Sequence, residues 1–335
     1  MKKTAAALII AAIISICPIR SHAVGTSAES AILIEAQSGD VLYEKDADTR
    51  RGPASTTKIM TALIAIENCD LDKIVEVSPM AVGIEGSSAY LYAGEKITME
   101  SLLYALLLQS ANDAAAAIAY EVGGGIDGFC AMMNEKAESL GLVNTHFSNP
   151  HGLDDEMHYT TARELAMIAR AAMENETFCQ VVSTVKKAVP MEDGGATRVF
   201  INHNRLLRCY DDIVGVKTGY TKKCGRTLVS ASDKDGMKFI AVTLCDGDDW
   251  RDHRALHDYG QSLYERVKLI GRGEGFEVSS RGESVFVGCD DDVYATLPRV
   301  RGEIKAVAEY SSNGGEINFY LGEKLVGRAE LHGKN

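Results

Sequence analysis

The sequence predicts an α+β fold, one antiparallel sheet carrying a helical lobe, followed by a small all-β domain. Three observations carry that expectation. Strand-like stretches stand at both ends of a segment whose middle reads as helix. Residues 276–335 change to short alternating apolar runs broken by Gly, Asp, Asn and Ser. An apolar fraction of 46%, with no low-complexity tract and no internal repeat, indicates a globular chain able to bury a large core.

The elements follow in chain order. Residues 1–23 combine Lys2 and Lys3, an apolar run from Ala5 to Cys17, and Ser21-His22-Ala23, small at the positions a signal peptidase reads. This is a secretory signal, with cleavage expected after Ala23. The run is shorter than the roughly 20 apolar residues of a membrane span, and Ile16 before Cys17 argues against a lipoprotein. The chain is therefore expected outside the cytoplasm, at the cell wall, in the periplasmic space or secreted.

"SAILIEAQSGDVLYEKDAD" reads as a hairpin turning at Gln37-Ser38-Gly39-Asp40, with Ile32, Ile34, Val41 and Tyr43 facing inward. Helical spacing predicts helices over 59–67, 99–108, 113–122, 128–140 and 161–173, the last capped by Thr160. Strands return in "DDIVGVKTGYT" and in "RTLVSASDKDGMKFIAVTLC", which turns at Asp235-Gly236, and "WRDHRALHDYGQSLYERV" reads as a closing helix. The main domain is expected over 26–268 and the β domain over 276–335.

Charge and cysteine content exclude several classes. Without Lys2, Lys3 and Arg20, the 35 basic residues fall to 32 against 47 acidic ones, a formal charge of −15. Nonspecific nucleic-acid binding is excluded on that balance. Beyond Cys17 the cysteines are Cys69, Cys130, Cys179, Cys209, Cys224, Cys245 and Cys289, an odd number without CxxC spacing. They are expected to be mostly buried thiols rather than a disulfide scaffold or a metal site, and no cofactor is implied.

The chemistry is concentrated in three short motifs. In "GPASTTKIMTALIAIE", Ser55 and Lys58 stand three apart at the opening of an amphipathic helix, which places an amine on the same face as a hydroxyl. A serine becomes a nucleophile when a base takes its proton, and a lysine is that base when its pKa is depressed. The same spacing recurs at Ser183 and Lys186, in a polar segment with Pro190 close behind, so the motif alone also fits an ordinary helix cap. "LLLQSANDAAAA" sets Ser110 and Asn112 at a junction between two helices, where they either cap the second helix or point into a cleft. "VGVKTGYT" puts Lys217 and Thr218 on a strand beside Gly219, which lets a ligand approach the backbone; an exposed lysine before a strand bend would read the same way.

The order S-x-x-K, S-x-N, K-T-G is the motif set of penicillin-binding proteins and class A β-lactamases. With "RGPASTTKIMTAL", "LLLQSANDAA", "FSNPHGLDDEMHYTTARELA", "VGVKTGYTKKCGRTLVSA" and "HDYG", the chain resembles the serine-type D-alanyl-D-alanine carboxypeptidases, the low-molecular-mass penicillin-binding proteins, over nearly all its length after the leader. The resemblance implies a penicillin-recognising domain followed by a small β domain. It also implies that Ser55 attacks the bond between the last two D-alanines of a peptidoglycan stem peptide and is acylated by β-lactam antibiotics. By matched position, Lys58 is the base, Ser110 relays a proton to the leaving amine, Asn112 contacts the peptide, Lys217 and Thr218 bind the terminal carboxylate, and the N–H groups of Ser55 and Tyr220 form the oxyanion hole.

Two departures accompany the resemblance. Many relatives carry an arginine before the closing helix, but in "DGDDWRDHRAL" neither Arg251 nor Arg254 aligns, and both are left out of the site. Relatives often end in an amphipathic membrane helix, whereas "KLVGRAELHGKN" reads as a last strand and a tail, so membrane attachment is left open. The rival readings are a β-lactamase, whose E-x-x-L-N loop is missing from "SNPHGLDDEMHYTTAREL", and a noncatalytic peptidoglycan-binding protein that keeps the cleft.

Overall fold

The computed structural model describes residues 7–8, 24–191, 197–280, 283–311 and 314–334. The leader expected over 1–23 lies outside the described residues except for Ala7–Leu8, which pair antiparallel with Val307 and Ala306. The chain forms two compact units. One comprises Ala23–Lys234 and Lys238–Gly260; the other contains Gln261–Asn335 together with Asp235–Met237.

The larger unit is built on a five-stranded sheet in the order Val41–Lys45, Ser30–Glu35, Met237–Asp246, Gly225–Lys234, Ile213–Thr221. The strand that opens the domain thus lies beside one from its end, Ile34 opposite Ile240 and Ile32 opposite Val242, which are all buried. Ser30–Glu35 is buried at every position, as expected of a strand covered on both faces.

Val41, expected to face inward, is instead exposed. Its strand is the sheet's edge, and a bulge after the Leu33–Tyr43 pair sets Val41 opposite Ile34, breaking the simple alternation.

The helical lobe is centred on α1, Lys58–Asn68, which packs against α2 (Met99–Leu107), α3 (Asn112–Gly123), α4 (Ile126–Ser139), α5 (Ala162–Met173) and α6 (Glu176–Ser183). Residues 58–65 of α1 are buried all round, which makes it an interior helix rather than an amphipathic surface one. The nucleophile candidate therefore stands at the head of the lobe's most enclosed helix.

Three expectations are corrected. Helix α5 is capped by Thr161, whose hydroxyl accepts from Glu164 N, while the Thr160 hydroxyl meets Thr145. Helix α6 was not foreseen, its apolar residues Phe178, Val181 and Val182 falling in a segment read as polar. The closing helix runs Asp249–Leu263, and Tyr264–Ile270 leaves it as a strand, exposed Arg266 and Lys268 alternating with half-buried Val267 and Leu269 at strand period.

The second unit contains the strand pair Tyr264–Ile270 with Val293–Pro298, and a sheet in which Gly275–Ser280, Glu283–Gly288, Lys324–Lys334, Gly314–Leu321 and Ile304–Ser311 follow one another. Ile270, Val287, Ile317, Phe319 and Leu331 form its core.

None of the seven described cysteines is in a disulfide, but they are not mostly buried. Only Cys130 and Cys289 are; Cys209 is exposed and the others are half-buried. Several stand at element ends, Cys69 just past α1 and Cys209 closing a short helix, where packing is incomplete.

Candidate active site

Ser55 is half-buried in a 3-10 turn, Ala54–Thr57, that runs directly into α1 with Lys58 as its first residue. In a 3-10 turn side chains three apart eclipse one another, so the S-x-x-K spacing is aligned more closely here than within an α-helix. Lys58 is fully buried, and its Nζ lies 3.0 Å from Ser55 Oγ, 2.7 Å from Asn112 Oδ1 and 2.6 Å from the His151 carbonyl.

Burial, reinforced by the Lys217 cation and offset by Asp113, holds Lys58 well below the ordinary lysine range. Lys217 is equally buried, and burial pushes it down to about 7.

Helix α2 ends at Leu107 and α3 begins at Asn112; Ser110 lies between them, buried, at φ 60. Helix α3 has no side-chain cap. The Asn112 amide that could have served as one accepts from Lys58 at its oxygen and donates to Glu85 O at 2.5 Å from its nitrogen. The helix-cap alternative for this motif is thereby excluded.

Lys217, Thr218, Gly219 and Tyr220 lie on Ile213–Thr221, the strand at the other end of the sheet from Val41–Lys45. Lys217 and Gly219 share a face. That face looks onto the nucleophile, because a Cβ on Gly219 would come 2.9 Å from Ser55 N and 2.3 Å from Thr227 Oγ1. Glycine is required there by close approach, and Thr227 pins the same segment by donating to Pro53 O at 3.0 Å. Thr218 is half-buried and Tyr220 is exposed. The structure thus joins Ser55, Lys58 and Asn112 by direct bonds and brings the Lys217 strand against Ser55 through Gly219. Ser110 enters through the chain, two residues before Asn112.

Arg251 and Arg254, left out of the site, are both engaged with carboxylates: Arg251 with Asp248 and Asp252, Arg254 with Asp212 and Asp258.

Sequence reasoning missed three contributors. The His151 carbonyl is one, supplied by the "SNPHGLDDEMH" loop, whose Pro150 O also accepts from Thr61. Asp113 is another: its carboxylate accepts from Ser88 Oγ and from the N–H groups of Ala89, Leu91 and Ala114, holding residues 88–91 against the start of α3. The third is Gly152, at φ 90, where a Cβ would come 1.9 Å from Ala54 O. The glycine after a histidine was the available signal, but nothing in its local sequence names Ala54 as its partner.

A sheet ending in a K-T-G strand, a helical lobe, and a serine facing a buried lysine define a peptidase-like site on a penicillin-recognising fold. The sequence model of the D-alanyl-D-alanine carboxypeptidases, peptidase family S11, matches residues 18–247. The D-alanyl-D-alanine carboxypeptidase DacF of Bacillus subtilis (strain 168) is 37% identical over 230 residues, 67% of this chain and 59% of that protein. DacA of Escherichia coli (strain K12), a D-alanyl-D-alanine carboxypeptidase, is 32% identical over 341 residues, 91% of this chain and 82% of its own. The crystal structure of the D-alanyl-D-alanine carboxypeptidase DacD from Francisella tularensis superposes with a TM-score of 0.71 at 26% identity, covering 97% of this chain and 96% of that one. The chain belongs to the D-alanyl-D-alanine carboxypeptidase family, a family of serine peptidases, and the expected fold class holds.

Proposed function

We propose that this protein removes the terminal D-alanine from peptidoglycan stem pentapeptides through an acyl-enzyme on Ser55. The observation that carries the reading is the bonding of Lys58. As an ammonium its nitrogen has three N–H donors; as an amine it has two and a lone pair. Asn112 Oδ1 and the His151 carbonyl can only accept, so in the neutral form they take both N–H groups and turn the lone pair toward Ser55. Burial supplies the neutral form. This geometry is that of a general base waiting for a hydroxyl proton.

The steps follow. Ser55 Oγ passes its proton to Lys58 and attacks the carbonyl between the two D-alanines, while the N–H groups of Ser55 and Tyr220 take the developing oxyanion. Ser110 relays a proton to the leaving nitrogen, free D-alanine departs, and water hydrolyses the ester. Lys217 and Thr218 hold the terminal carboxylate, Lys217 regaining its full charge as the carboxylate enters. Asn112 keeps Lys58 in place and contacts the peptide. The K-T-G strand ends its sheet, so its free edge can pair with an extended stem peptide. β-Lactams enter the same site and leave Ser55 acylated.

The same reading places the protein outside the cytoplasm, its leader 1–23 cleaved after Ala23, with 26–268 as the catalytic domain and 276–335 as a small β domain. The apolar run behind Lys2 and Lys3 supports export. Among the described residues no helix is long and apolar enough to cross a membrane. Release of D-alanine from a synthetic pentapeptide, together with mapping of a fluorescent penicillin to Ser55, tests the activity. A protein that binds the peptide without releasing D-alanine would be the noncatalytic alternative, and rapid loss of the penicillin label with drug hydrolysis would make it a β-lactamase.

A further inference from the structure

We propose that His158 is a positioning residue for the Ser55 turn: through Thr57 it holds the backbone that presents the nucleophile. The inference rests on the reading of Ser55 as that nucleophile. Ser55 follows Ala54, a non-glycine residue at φ 48, a left-handed conformation that persists only where neighbours hold it.

The hold is visible in the bonds around Ala54. Its carbonyl accepts from the Thr57 hydroxyl at 2.8 Å, and Gly152 is pressed onto the same oxygen. The Thr57 hydroxyl also meets His158 Nε2 at 2.7 Å. A hydroxyl has one proton, and this one is committed to Ala54, so Thr57 accepts from His158 and the imidazole proton sits on Nε2. Nδ1 is then the acceptor the ring must offer on its other side, and Ser148 N donates to it at 3.1 Å. Both ring nitrogens are engaged, and one tautomer satisfies them.

The ring is buried, packed edge-on against Phe147 with centroids 5.7 Å apart, and burial brings it down to about 4. It is neutral at neutral pH, as this pattern requires. The same loop hangs the His151 carbonyl on Lys58 and the Pro150 carbonyl on Thr61, so His158 fastens to the nucleophile's turn the segment that orients the base. Among the described residues His158 bonds neither Ser55 nor Lys58, so its influence passes through Thr57 and the loop.

The experiment compares Thr57→Val, His158→Leu, His158→Gln and the Thr57→Val/His158→Leu double variant of the full chain. The readouts are kcat and KM for D-alanine release from a pentapeptide, the rate of acylation by a fluorescent penicillin, and the melting temperature. Thr57→Val and His158→Leu are expected to lower kcat and the acylation rate about 10- to 100-fold with KM within about twofold, since the substrate pocket is intact while the nucleophile is misplaced. The double variant is expected to be no worse than either single one, because both cut the same chain of bonds. His158→Gln, which keeps an N–H donor, is expected to recover most of the loss. Single variants within about twofold of wild type, losses that multiply in the double variant, or a rise in KM at unchanged kcat would overturn the inference. If His158→Leu does not fold, Thr57→Val and His158→Gln carry the same comparison. A wild type that releases no D-alanine and takes no label at Ser55 overturns the proposed function, and this inference with it, before any variant is made.

Discussion

Ser55 and Ser183 each stand three residues before a lysine, and the chain treats them in opposite ways. Ser55 lies in a turn that continues into α1, so Lys58 stays on the same face and is enclosed by the helices that pack around α1. Ser183 is the last residue of α6; its hydroxyl donates back to Gln180 O, and Lys186 opens an exposed strand position beyond the helix end. Spacing is thus identical while direction of approach differs. A nucleophile–base pair needs the lysine inside a continuing helix, where neighbours remove water from it and depress its pKa.

The sharpest way to break this comparison is to exchange the serines' fates. Ser55→Ala is expected to abolish acylation by fluorescent penicillin, with Ser183→Ala labelling like wild type; label persisting in Ser55→Ala, or mapping to Ser183, would reverse the two roles. Next in size, Lys58→Ala is expected to slow acylation by roughly 100- to 10,000-fold, the range for loss of a general base, and Lys186→Ala to leave the rate unchanged. Stopped-flow labelling separates the two.

Lys217 sharpens what the surroundings add. Lys217→Ala is expected to cost about 10- to 150-fold in kcat/KM on a pentapeptide with a free C-terminus, the loss of a charge-assisted hydrogen bond. On the C-terminally amidated peptide it is expected to cost much less; equal losses would show that Lys217 does not read the carboxylate. Because the Lys217 cation depresses Lys58, its removal raises the Lys58 pKa, and the acid limb of the acylation profile moves to higher pH.

The same residue shapes stability. With a folded pKa of about 7, below the unfolded lysine value, Lys217 lets the unfolded chain bind more protons between the two. Its contribution is fully present above the unfolded pKa and is lost as pH falls through about 7. Lys217→Met is expected to flatten the rise in melting temperature over that interval. The smallest effect tests α6 as scaffold: Asn175 caps it by accepting from Phe178 N at 3.1 Å. Asn175→Ala is expected to lower stability by about 1 kcal/mol in chemical denaturation, with the acylation rate unchanged.

The motif residues were legible because each stands where an element begins or turns: Ser55 before α1, Asn112 opening α3, Gly219 on a strand that approaches another backbone. The sheet was legible for a similar reason, since alternation and the Asp235-Gly236 turn are local signals. What escaped was set by distant partners. Val41 faces outward because of a bulge and an edge position. The His151 carbonyl carries no side-chain identity that could announce a bond to Lys58, and His158 reaches Thr57 across a separation of 101 residues. Helix α6 was missed because its three buried residues are too few to stand out from a polar stretch.

The absent side chain at Gly219 has a consequence for how this site can diversify. Even a methyl group there would enter the space beside the Ser55 amide. The strand that faces the nucleophile is therefore closed to tuning by substitution at its nearest point, whatever advantage a larger residue would bring to one substrate over another. Selectivity among stem peptides, and between peptide and antibiotic, has to be written instead in positions that can change without touching that amide: the 85–91 loop held by Asn112 and Asp113, and the exposed residues 154–157, between the Gly152 and His158 that hold the Ser55 turn. Comparing variants of those two segments at constant Ser55 chemistry is the route to a retargeted enzyme.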